Sequence, residues 1–316
     1  MRTGIPAIKK LFCLPLPKFK CAIFLFPLVT VIPAFANISL IAGNHTVELS
    51  SGYCWTVNYI TKNGHPICDQ PGSAQGTVLA INGQWAGGKH DNENLLSTKL
   101  FVDGVQQPLV DGNSYVGDNV QIIHTSILGS AYQKTCTMTI TPDSSNEHIT
   151  LQGLDESKYC NTFYGFLGSR LNRLTEYAAF DANGSLLHSG SNDKNDDAAV
   201  DLGNSNAVAQ YDPLTGDGIL SIVTGAEELN LNSFIWDRAD DNKLYFRMLG
   251  AEGAAKVTNF FEFNQSLHFF EADAESWREV ASSLVSGAVV NPEPSTILLF
   301  AMGIVLLRGK SYRRPV

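Results

Sequence analysis

The segment that most restricts the fold of this chain is residues 135–141, in which threonine and apolar residues alternate without a break. Successive side chains of a β-strand point to opposite faces, so this pattern places Cys136, Met138 and Ile140 on one face and four threonines on the other. One apolar face and one polar face are typical of an antiparallel sheet that covers a core on one side only.

Short β-patterned segments separated by turn residues continue along most of the chain. Asn63-Gly64 and Asp103-Gly104 are hairpin signals, because both dipeptides readily adopt positive φ angles. We predict further strands at residues 54–60, 100–102, 120–128, 150–154, 163–167, 174–180, 207–211, 219–223, 232–236, 243–249 and 256–263.

One segment has helical periodicity. Residues 272–285 carry apolar side chains at helical spacing, namely Trp277, Val280, Ala281, Leu284 and Val285. With strands elsewhere, this predicts an all-β fold: a single large antiparallel β-sandwich with one short C-terminal helix. No Pro/Gly linker clearly divides residues 37–290, although a body of about 250 residues could also form two smaller β domains.

The N-terminal end has the composition of a secretory signal peptide. Residues 1–20 carry five basic and no acidic residues, and residues 21–35 are almost wholly apolar. Ala34-Phe35-Ala36 has the small-x-small pattern that signal peptidase cleaves. We predict a signal peptide over residues 1–36; the alternative is a retained N-terminal anchor.

At the other end, a proline-rich motif precedes an apolar run and a basic tail. The motif is Pro292-Glu293-Pro294-Ser295-Thr296, the run reaches residue 307 without a charge, and the tail contains Arg308, Lys310, Arg313 and Arg314. The prolines predict a stiff, exposed strap, and cations after an apolar run hold its end on the cytoplasmic side. In this order of parts, residues 291–316 resemble the PEP-CTERM sorting signal.

That resemblance implies recognition by exosortase, a membrane-embedded cysteine protease of Gram-negative bacteria that make exopolysaccharide. It also implies removal of the hydrophobic sorting helix and release of the body, residues 37–290, to the cell envelope, the outer surface or the extracellular matrix. The alternative is a plain C-terminal transmembrane anchor, for which the apolar run is shorter than the ~20 residues of a comfortable span.

The two terminal segments hold nine of the 22 basic residues but only one of the 31 acidic residues. The body therefore has 13 basic and 30 acidic residues and a formal charge of −17. A body this acidic should be repelled by nucleic acid and by anionic lipid headgroups, and it should attract cations such as Ca²⁺. We expect no nucleic-acid partner.

Four cysteines remain in the body: Cys54, Cys68, Cys136 and Cys160. Cysteines that follow a secretory signal predict a disulfide framework, here with three possible connectivities. We favour the pairs Cys54–Cys68 and Cys136–Cys160, because each closes a local loop. Neither pair has the spacing of a zinc site.

The sequence contains no Gly-x-Ser-x-Gly elbow, His-Glu-x-x-His helix or phosphate-binding Gly loop. The seven histidines are scattered, and no two have the spacing of local metal ligands. A fold could still gather distant groups, for instance His124, His188 and Glu262 across a concave sheet, with the carboxylate as base and a histidine as acid. Carbohydrate epimerases and lyases on large β-sandwiches combine groups in this way.

The loop over residues 82–93 is the best candidate for a ligand site. Trp85 offers a flat face for a sugar ring, and hydroxyl partners are available on Gln84, His90, Asp91 and Asn92. The alternative is an ordinary long loop with Trp85 tucked into the core. We expect the other tryptophans, Trp55, Trp236 and Trp277, to lie in the core.

Two acidic turns could hold Ca²⁺. Asp193, Asn195 and Asp197 have the spacing that opens an EF-hand loop, but Ala198 stands where that loop needs glycine. A looser structural Ca²⁺ site on Asp193, Asp196 and Asp197 stays open, as does one on residues 237–242. The alternative for each is a solvated acidic turn. We expect no other cofactor.

Together these features predict an exported protein, processed by signal peptidase and sorted by exosortase, that is not an enzyme and interacts with exopolysaccharide or another glycan. The alternative is a carbohydrate-active enzyme, epimerase-like or lyase-like, with histidine and carboxylate acid–base chemistry. A purely structural role in the matrix, with self-association and no glycan preference, is a third possibility.

Overall fold

The structure is a computed structural model that describes residues 37–68, 74–90, 92–171, 173–194, 196–225, 230–238, 241–249, 255–256 and 260–290. The predicted signal peptide and sorting segment lie outside these residues. Within the described part, no helix is both long and apolar enough to cross a membrane.

The described residues form 22 strands, one 3-10 turn at Ser51–Tyr53 and one α-helix. In chain order they are β1 (Asn37–Ala42), β2 (His45–Ser50), β3 (Thr56–Lys62), β4 (His65–Cys68), β5 (Val78–Ile81), β6 (Gln84–Ala86), β7 (Glu93–Val102), β8 (Val105–Gln107), β9 (Ser114–Val116), β10 (Val120–Leu128), β11 (Tyr132–Ile140), β12 (Ser144–Gly153), β13 (Tyr159–Leu171), β14 (Glu176–Phe180), β15 (Leu186–Ser191), β16 (Ala198–Asp201), β17 (Ala207–Tyr211), β18 (Asp217–Thr224), β19 (Asn232–Asp237), β20 (Asp241–Leu249), β21 (Ala255–Lys256), β22 (Phe260–Glu271) and α1 (Trp277–Val290).

The strands form three sheets. A five-stranded sheet has the order β4-β3-β2-β1-β9, and a ten-stranded sheet has the order β15-β14-β17-β18-β22-β12-β11-β10-β7-β8. A seven-stranded sheet has the order β16-β19-β20-β13-β5-β6, with β21 beside β13. All described pairings are antiparallel except that between β1 and β9. The predicted all-β antiparallel sandwich with one helix is therefore confirmed.

Residues 135–141 behave as their alternation predicts. In β11 the side chains of Cys136, Met138 and Ile140 are buried, and the threonines between them are half-buried on the opposite face. The strand pairs with β10 on one side and β12 on the other. The hairpin predicted at Asn63-Gly64 joins β3 to β4, with φ angles of 53° and 75° at the two turn residues.

Both smaller sheets pack over the same inner face of the ten-stranded sheet. Leu40 of β1 and Ile122 of β10 belong to one continuous apolar core, as do Phe163 of β13 and Phe263 of β22. The rings of Phe163 and Phe263 lie edge to face, with centroids 5.0 Å apart. The core is thus held between sheets, as in a sandwich.

The helix α1 covers the opposite face of the ten-stranded sheet at β14, β17 and β18. Trp277 is fully buried and stacks on Tyr211, with ring centroids 4.9 Å apart. The helix begins five residues later than the sequence predicts, because residues 272–276 form its cap: Asp273 Oδ1 accepts hydrogen bonds from the amide and hydroxyl of Ser276.

Candidate functional site

The outward side of the seven-stranded sheet carries large aromatic side chains where a solvated sheet face would carry polar ones. In β19 the buried Ile235 is flanked by Phe234 and Trp236, which are half-buried on the outer face. Cross-strand pairing places Tyr245 of β20 opposite Phe234. We call the side chains of Trp85, Tyr164, Phe234, Trp236 and Tyr245 the aromatic face.

The rings of the aromatic face touch one another in a continuous row. Phe234 and Tyr245 are stacked at 4.6 Å and 12°, and Tyr245 meets Tyr164 of β13 edge to face at 5.1 Å. Tyr164 in turn stacks on Trp85 at 5.5 Å and 20°. At the end of the row away from Trp85, the ring centroids of Trp236 and Tyr245 are 6.4 Å apart. Ring contacts of this kind fix the side chains before any ligand arrives.

Trp85 occupies its place because a tight hairpin presents it. Asn82 and Gly83 form the β5–β6 turn with φ angles of 48° and 78°, and β6 then pairs Trp85 with Ala80. Asn92 Nδ2 donates a hydrogen bond to the carbonyl of Trp85 at 3.2 Å. The loop after β6 folds back tightly at Gly87, where a Cβ would lie 2.5 Å from a backbone carbonyl oxygen.

A shallow groove runs beside Trp85 on the aromatic face. It has a volume of about 170 Å³ and is lined by Val78, Trp85, His90, Tyr164, Phe234, Trp236, Lys243 and Tyr245. His90 stacks on Trp85 at 5.8 Å and 25°. Burial raises the pKa of the Tyr164 hydroxyl, and the nearby Arg247 opposes that shift, so the tyrosine remains a neutral hydrogen-bonding group.

A second pocket, of about 280 Å³, is also lined by Trp85. Amide side chains dominate its wall, and the full lining is Ile81, Asn82, Gln84, Trp85, Ala86, Asn92, Asn94, Gly129, Ser130 and Lys158. Lys158 Nζ is held by the carbonyls of Gly129 at 2.9 Å and Ser130 at 3.3 Å. This pocket offers donors and acceptors, whereas the groove offers flat apolar surfaces.

The structure places the predicted ligand residues around one tryptophan. Gln84 and Asn92 line the amide pocket, His90 lines the aromatic groove, and Trp85 lines both. Asp91 lies outside the described residues. Trp85 is 39% exposed, so the alternative reading of a core tryptophan does not describe it. Its loop also contains a strand, β6, that the sequence did not predict.

Of the other tryptophans, Trp55 and Trp277 are buried as expected. The expectation for Trp236 is wrong, because β19 alternates and its outward positions belong to Phe234 and Trp236. The sequence carried a usable signal: residues 234–236 are apolar at every position, which indicates a strand that is apolar on both faces. The sequence around Trp85 did not identify Tyr164 and Tyr245 as site residues, because only the pairing of distant strands brings them beside Trp85.

Polar and charged groups lie between the sheets, on the inner face of the ten-stranded sheet. Lys134 Nζ is 2.6 Å from Glu93 Oε1, with both side chains at most 5% exposed. Ser126 Oγ donates to the same carboxylate oxygen at 2.6 Å, and Gln265 donates to Glu147 across β22 and β12. We call these five side chains the buried polar layer.

The acid–base group suggested by the sequence does not assemble. His124 is buried on the inner face of β10, His188 is exposed on the edge strand β15, and Glu262 is exposed on the outer face of β22. Glu262 instead meets His148 of β12 at 3.3 Å. His124 and Glu262 point to opposite faces of the ten-stranded sheet, and β15, which carries His188, is far from β10 in the strand order.

The four cysteines are thiols in the structure, so the favoured pairs Cys54–Cys68 and Cys136–Cys160 are not formed. Cys136 lies in the ten-stranded sheet opposite His124 and Ile149, whereas Cys160 pairs with Ile81 in the seven-stranded sheet. Burial raises the pKa of Cys54 to about 11 and that of Cys160 to about 12.

No group of three or more His, Cys, Asp or Glu side chains in the described part of the chain is arranged to hold a metal ion. In the acidic turn, Asp196 Oδ1 accepts the amide of Ala198 at 3.2 Å. Asp237 Oδ2 accepts the amide of Lys194 at 3.0 Å. The turn containing Asp193, Asp196 and Asp197 is thus organised by backbone hydrogen bonds.

Neither the protein-family models nor the curated proteins give a match to this sequence. Solved structures are similar in fold at low identity. A putative aldose 1-epimerase from Escherichia coli K12 has 12% identity and a TM-score of 0.48, over 75% of this chain and 100% of that chain. A galactose mutarotase related enzyme from Lactobacillus acidophilus has 9% identity and a TM-score of 0.41, over 75% and 98%. An α-galactosidase from Lactobacillus brevis has 9% identity and a TM-score of 0.49, over 76% of this chain but only 40% of that chain.

Proposed function

We propose that this chain is an exported protein of the cell surface or extracellular matrix that binds polysaccharide through its aromatic face. The aromatic face is the observation that carries the proposal. Folding alone does not account for it, because the inner face of the same sheet already supplies the core. Aromatic rings with polar groups beside them suit a sugar, which has both C–H faces and hydroxyls.

The shape of the site favours a polymer over a small molecule. The groove and the amide pocket have volumes of about 170 and 280 Å³, below the ~300–1,000 Å³ clefts that enclose most of a drug-sized ligand. Both open at Trp85, which therefore contributes to two adjacent binding positions. An extended chain that lies across Trp85 can use both positions at once.

The chemistry of the site favours binding over catalysis. Among the described lining residues, neither the groove nor the amide pocket combines a histidine with a carboxylate. The described pair His148–Glu262 lies on the other sheet, with both side chains about half exposed. General acid–base catalysis requires such groups beside the bound substrate. The geometry therefore supports a glycan-binding protein better than the epimerase-like or lyase-like alternative.

Affinity electrophoresis through gels that contain single polysaccharides tests the proposal. The full panel should include exopolysaccharide from Gram-negative bacteria. The wild-type chain should be retarded by at least one polysaccharide, and Trp85→Ala should lose roughly fivefold or more in affinity, since a stacking contact on an aromatic ring is worth ~1–3 kcal/mol. Phe260→Ala is the matched control, because Phe260 is an exposed aromatic on a different sheet. Equal retardation of all three proteins would refute the proposal.

Export and sorting need a separate experiment, since they concern the terminal segments. Replacing Pro292 and Pro294 by alanine should block tail removal in a strain that carries an exosortase, and the protein should stay in the membrane fraction. The matched control is a pair of alanine substitutions in the body, Pro108→Ala and Pro213→Ala. Normal release of the Pro292/Pro294 variant would contradict the sorting proposal and leave the glycan-binding proposal standing.

A further inference from the structure

The amide pocket beside Trp85 combines polar groups with a small apolar patch. Ile81 and Ala86 in its wall are at most 5% exposed. Gly129 lies directly against both, since a Cβ on Gly129 would be 2.8 Å from Ile81 Cδ1 and 3.8 Å from Ala86 Cβ. These three residues form one continuous apolar patch, and the other described lining residues except Trp85 are polar.

Two asparagines of the pocket are held in place by one end of their amide groups. Asn82 Oδ1 accepts a hydrogen bond from the backbone amide of Tyr159 at 2.9 Å, and Asn92 Nδ2 donates to the carbonyl of Trp85 at 3.2 Å. The other end of each amide is an Nδ2 donor on Asn82 and an Oδ1 acceptor on Asn92. Because both side chains are fixed before a ligand arrives, binding to them costs little conformational entropy.

Gln84 and Asn94 complete the amide part of the wall. Both side chains are exposed, Gln84 on β6 and Asn94 on β7, and both line the pocket. Each primary amide offers two N–H donors and a carbonyl acceptor. The pocket therefore presents hydrogen-bond donors and acceptors next to an apolar patch.

The one cation among the described lining residues is already bound. Lys158 Nζ donates to the carbonyls of Gly129 at 2.9 Å and Ser130 at 3.3 Å, and it lies 3.7 Å from the Asp155 carboxylate. An ammonium group has three donors, and these three partners account for them. No carboxylate is among the described lining residues. The groups that the pocket offers to a ligand are therefore neutral.

From this combination we propose that the amide pocket binds the acetamido group of an N-acetylated sugar in the polysaccharide. The inference rests on the proposed glycan-binding function and names its sugar class. An acetamido group has one N–H donor, one carbonyl acceptor and one methyl group, so it matches both the amides and the apolar patch. A sugar with hydroxyls alone would use only the amides. Carboxylate or sulfate sugars are disfavoured, because the body has a formal charge of −17.

Ligand-observed NMR with matched methyl glycosides tests the sugar class. The probes are the methyl glycosides of N-acetylglucosamine, N-acetylgalactosamine and N-acetylmannosamine, each paired with its parent hexoside. At least one acetamido glycoside should bind the wild-type chain roughly tenfold more tightly than its parent, because it adds a buried methyl group and an amide hydrogen bond. Saturation transfer from the protein should be strongest at its acetyl methyl group.

Two amide variants locate the effect. Gln84→Ala and Asn94→Ala should each weaken binding of that acetamido glycoside roughly threefold or more and reduce its advantage over the parent hexoside. Gln106→Ala is the matched control, because Gln106 is an exposed amide side chain of β8 in the ten-stranded sheet. Circular dichroism and the unfolding midpoint show whether each variant is folded.

The possible failures separate the inference from the proposed function. If a polysaccharide retards the wild-type chain but not Trp85→Ala, and no acetamido glycoside binds more tightly than its parent, the sugar class is wrong and the glycan-binding function stands. The same conclusion follows if the two amide variants behave like Gln106→Ala. If no glycoside binds and no polysaccharide retards the chain, both the inference and the proposed function are wrong.

Discussion

The aromatic face and the buried polar layer depart from the usual distribution of residues in opposite directions. On the outside of the seven-stranded sheet, aromatic rings such as Tyr245 and Trp236 meet solvent. On the inside of the ten-stranded sheet, Lys134 and Glu93 are almost completely excluded from it. In each case the protein places side chains where their transfer free energy is unfavourable.

The difference between the two regions lies in their partners. In the buried polar layer the charges satisfy one another: burial alone would lower the pKa of Lys134, but Glu93, Cys136 and Glu147 together raise it. Burial raises the pKa of Glu147, and the hydrogen bond from Gln265 opposes that shift. The aromatic face also has internal ring contacts, yet its outward surface has no covering element among the described residues. Folding explains the first region, and the proposed glycan ligand would explain the second.

The largest expected effect is on the buried polar layer. Lys134→Met should lower the free energy of unfolding by about 3–5 kcal/mol, because it leaves the Glu93 carboxylate buried without its cation. Urea unfolding followed by circular dichroism measures the loss. The double variant Glu93→Leu/Lys134→Met should recover most of it. A single variant as stable as the wild type would show that Glu93 is solvated or protonated in the folded chain.

A smaller effect comes from pH. Burial lowers the pKa of His45 from 6.5 to about 4, so between these pH values the unfolded chain binds a proton that the folded chain does not. The stabilising contribution of neutral His45 should therefore be fully present above about pH 6.5. The free energy of unfolding should fall as the pH drops towards 4, and protonation of His45 should account for about 3 kcal/mol of that fall. Burial lowers the pKa of His124 in the same direction. In His45→Gln, urea unfolding at pH 7 and pH 4.5 should show a smaller drop; an unchanged drop would assign it to other groups.

Truncation of the aromatic face should have a different signature. Trp85→Ala should change the free energy of unfolding by only about 1 kcal/mol, because the side chain is 39% exposed and loses mainly two ring contacts. Phe163→Ala, which truncates a fully buried ring of β13, should cost about 3–5 kcal/mol. Thermal or urea unfolding compares the two. If Trp85→Ala were as destabilising as Phe163→Ala, folding would explain the aromatic face and the contrast between the regions would disappear.

The smallest expected effect is on thiol chemistry at the edge of the buried polar layer. Cys54 should react only slowly with iodoacetamide at pH 8 in the native chain, because its pKa is raised to about 11 by burial and then by the nearby Glu93 carboxylate. After unfolding in urea without a reductant, mass spectrometry should find Cys54, Cys68, Cys136 and Cys160 alkylated. Peptides that stay joined until a reductant is added would restore the disulfide prediction.

The sequence predicts the strands well where a local rule applies. The alternation of residues 135–141 depends only on strand geometry, and the Asn63-Gly64 turn depends only on φ angles that these residues adopt easily. Composition alone selects residues 82–93 as a candidate ligand loop, and binding there stays a prediction. The helix start and the cysteine contacts were missed, because capping by Asp273 and the register between sheets are decided by tertiary structure.

The extent of the site was not predictable for the same reason. Tyr164 and Trp85 are 79 positions apart in the sequence, and Tyr245 is a similar distance further on. Only the order β20-β13-β5-β6 brings these three side chains together. The alternation that places Cys136 inward also places Lys134 on the inner face, but nothing local predicts its partner Glu93, which lies 41 positions earlier. Pairing of distant strands determines both regions.

Quenching of tryptophan fluorescence by acrylamide tests the central claim most directly. Trp55 and Trp277 are buried, whereas Trp85 and Trp236 lie on the aromatic face, so most of the quenching should come from the second pair. A saturating amount of the polysaccharide that retards the chain most strongly should reduce that quenching, and the reduction should shrink in Trp85→Phe. Quenching that is unchanged at saturation would place the glycan elsewhere and contradict a binding role for the aromatic face.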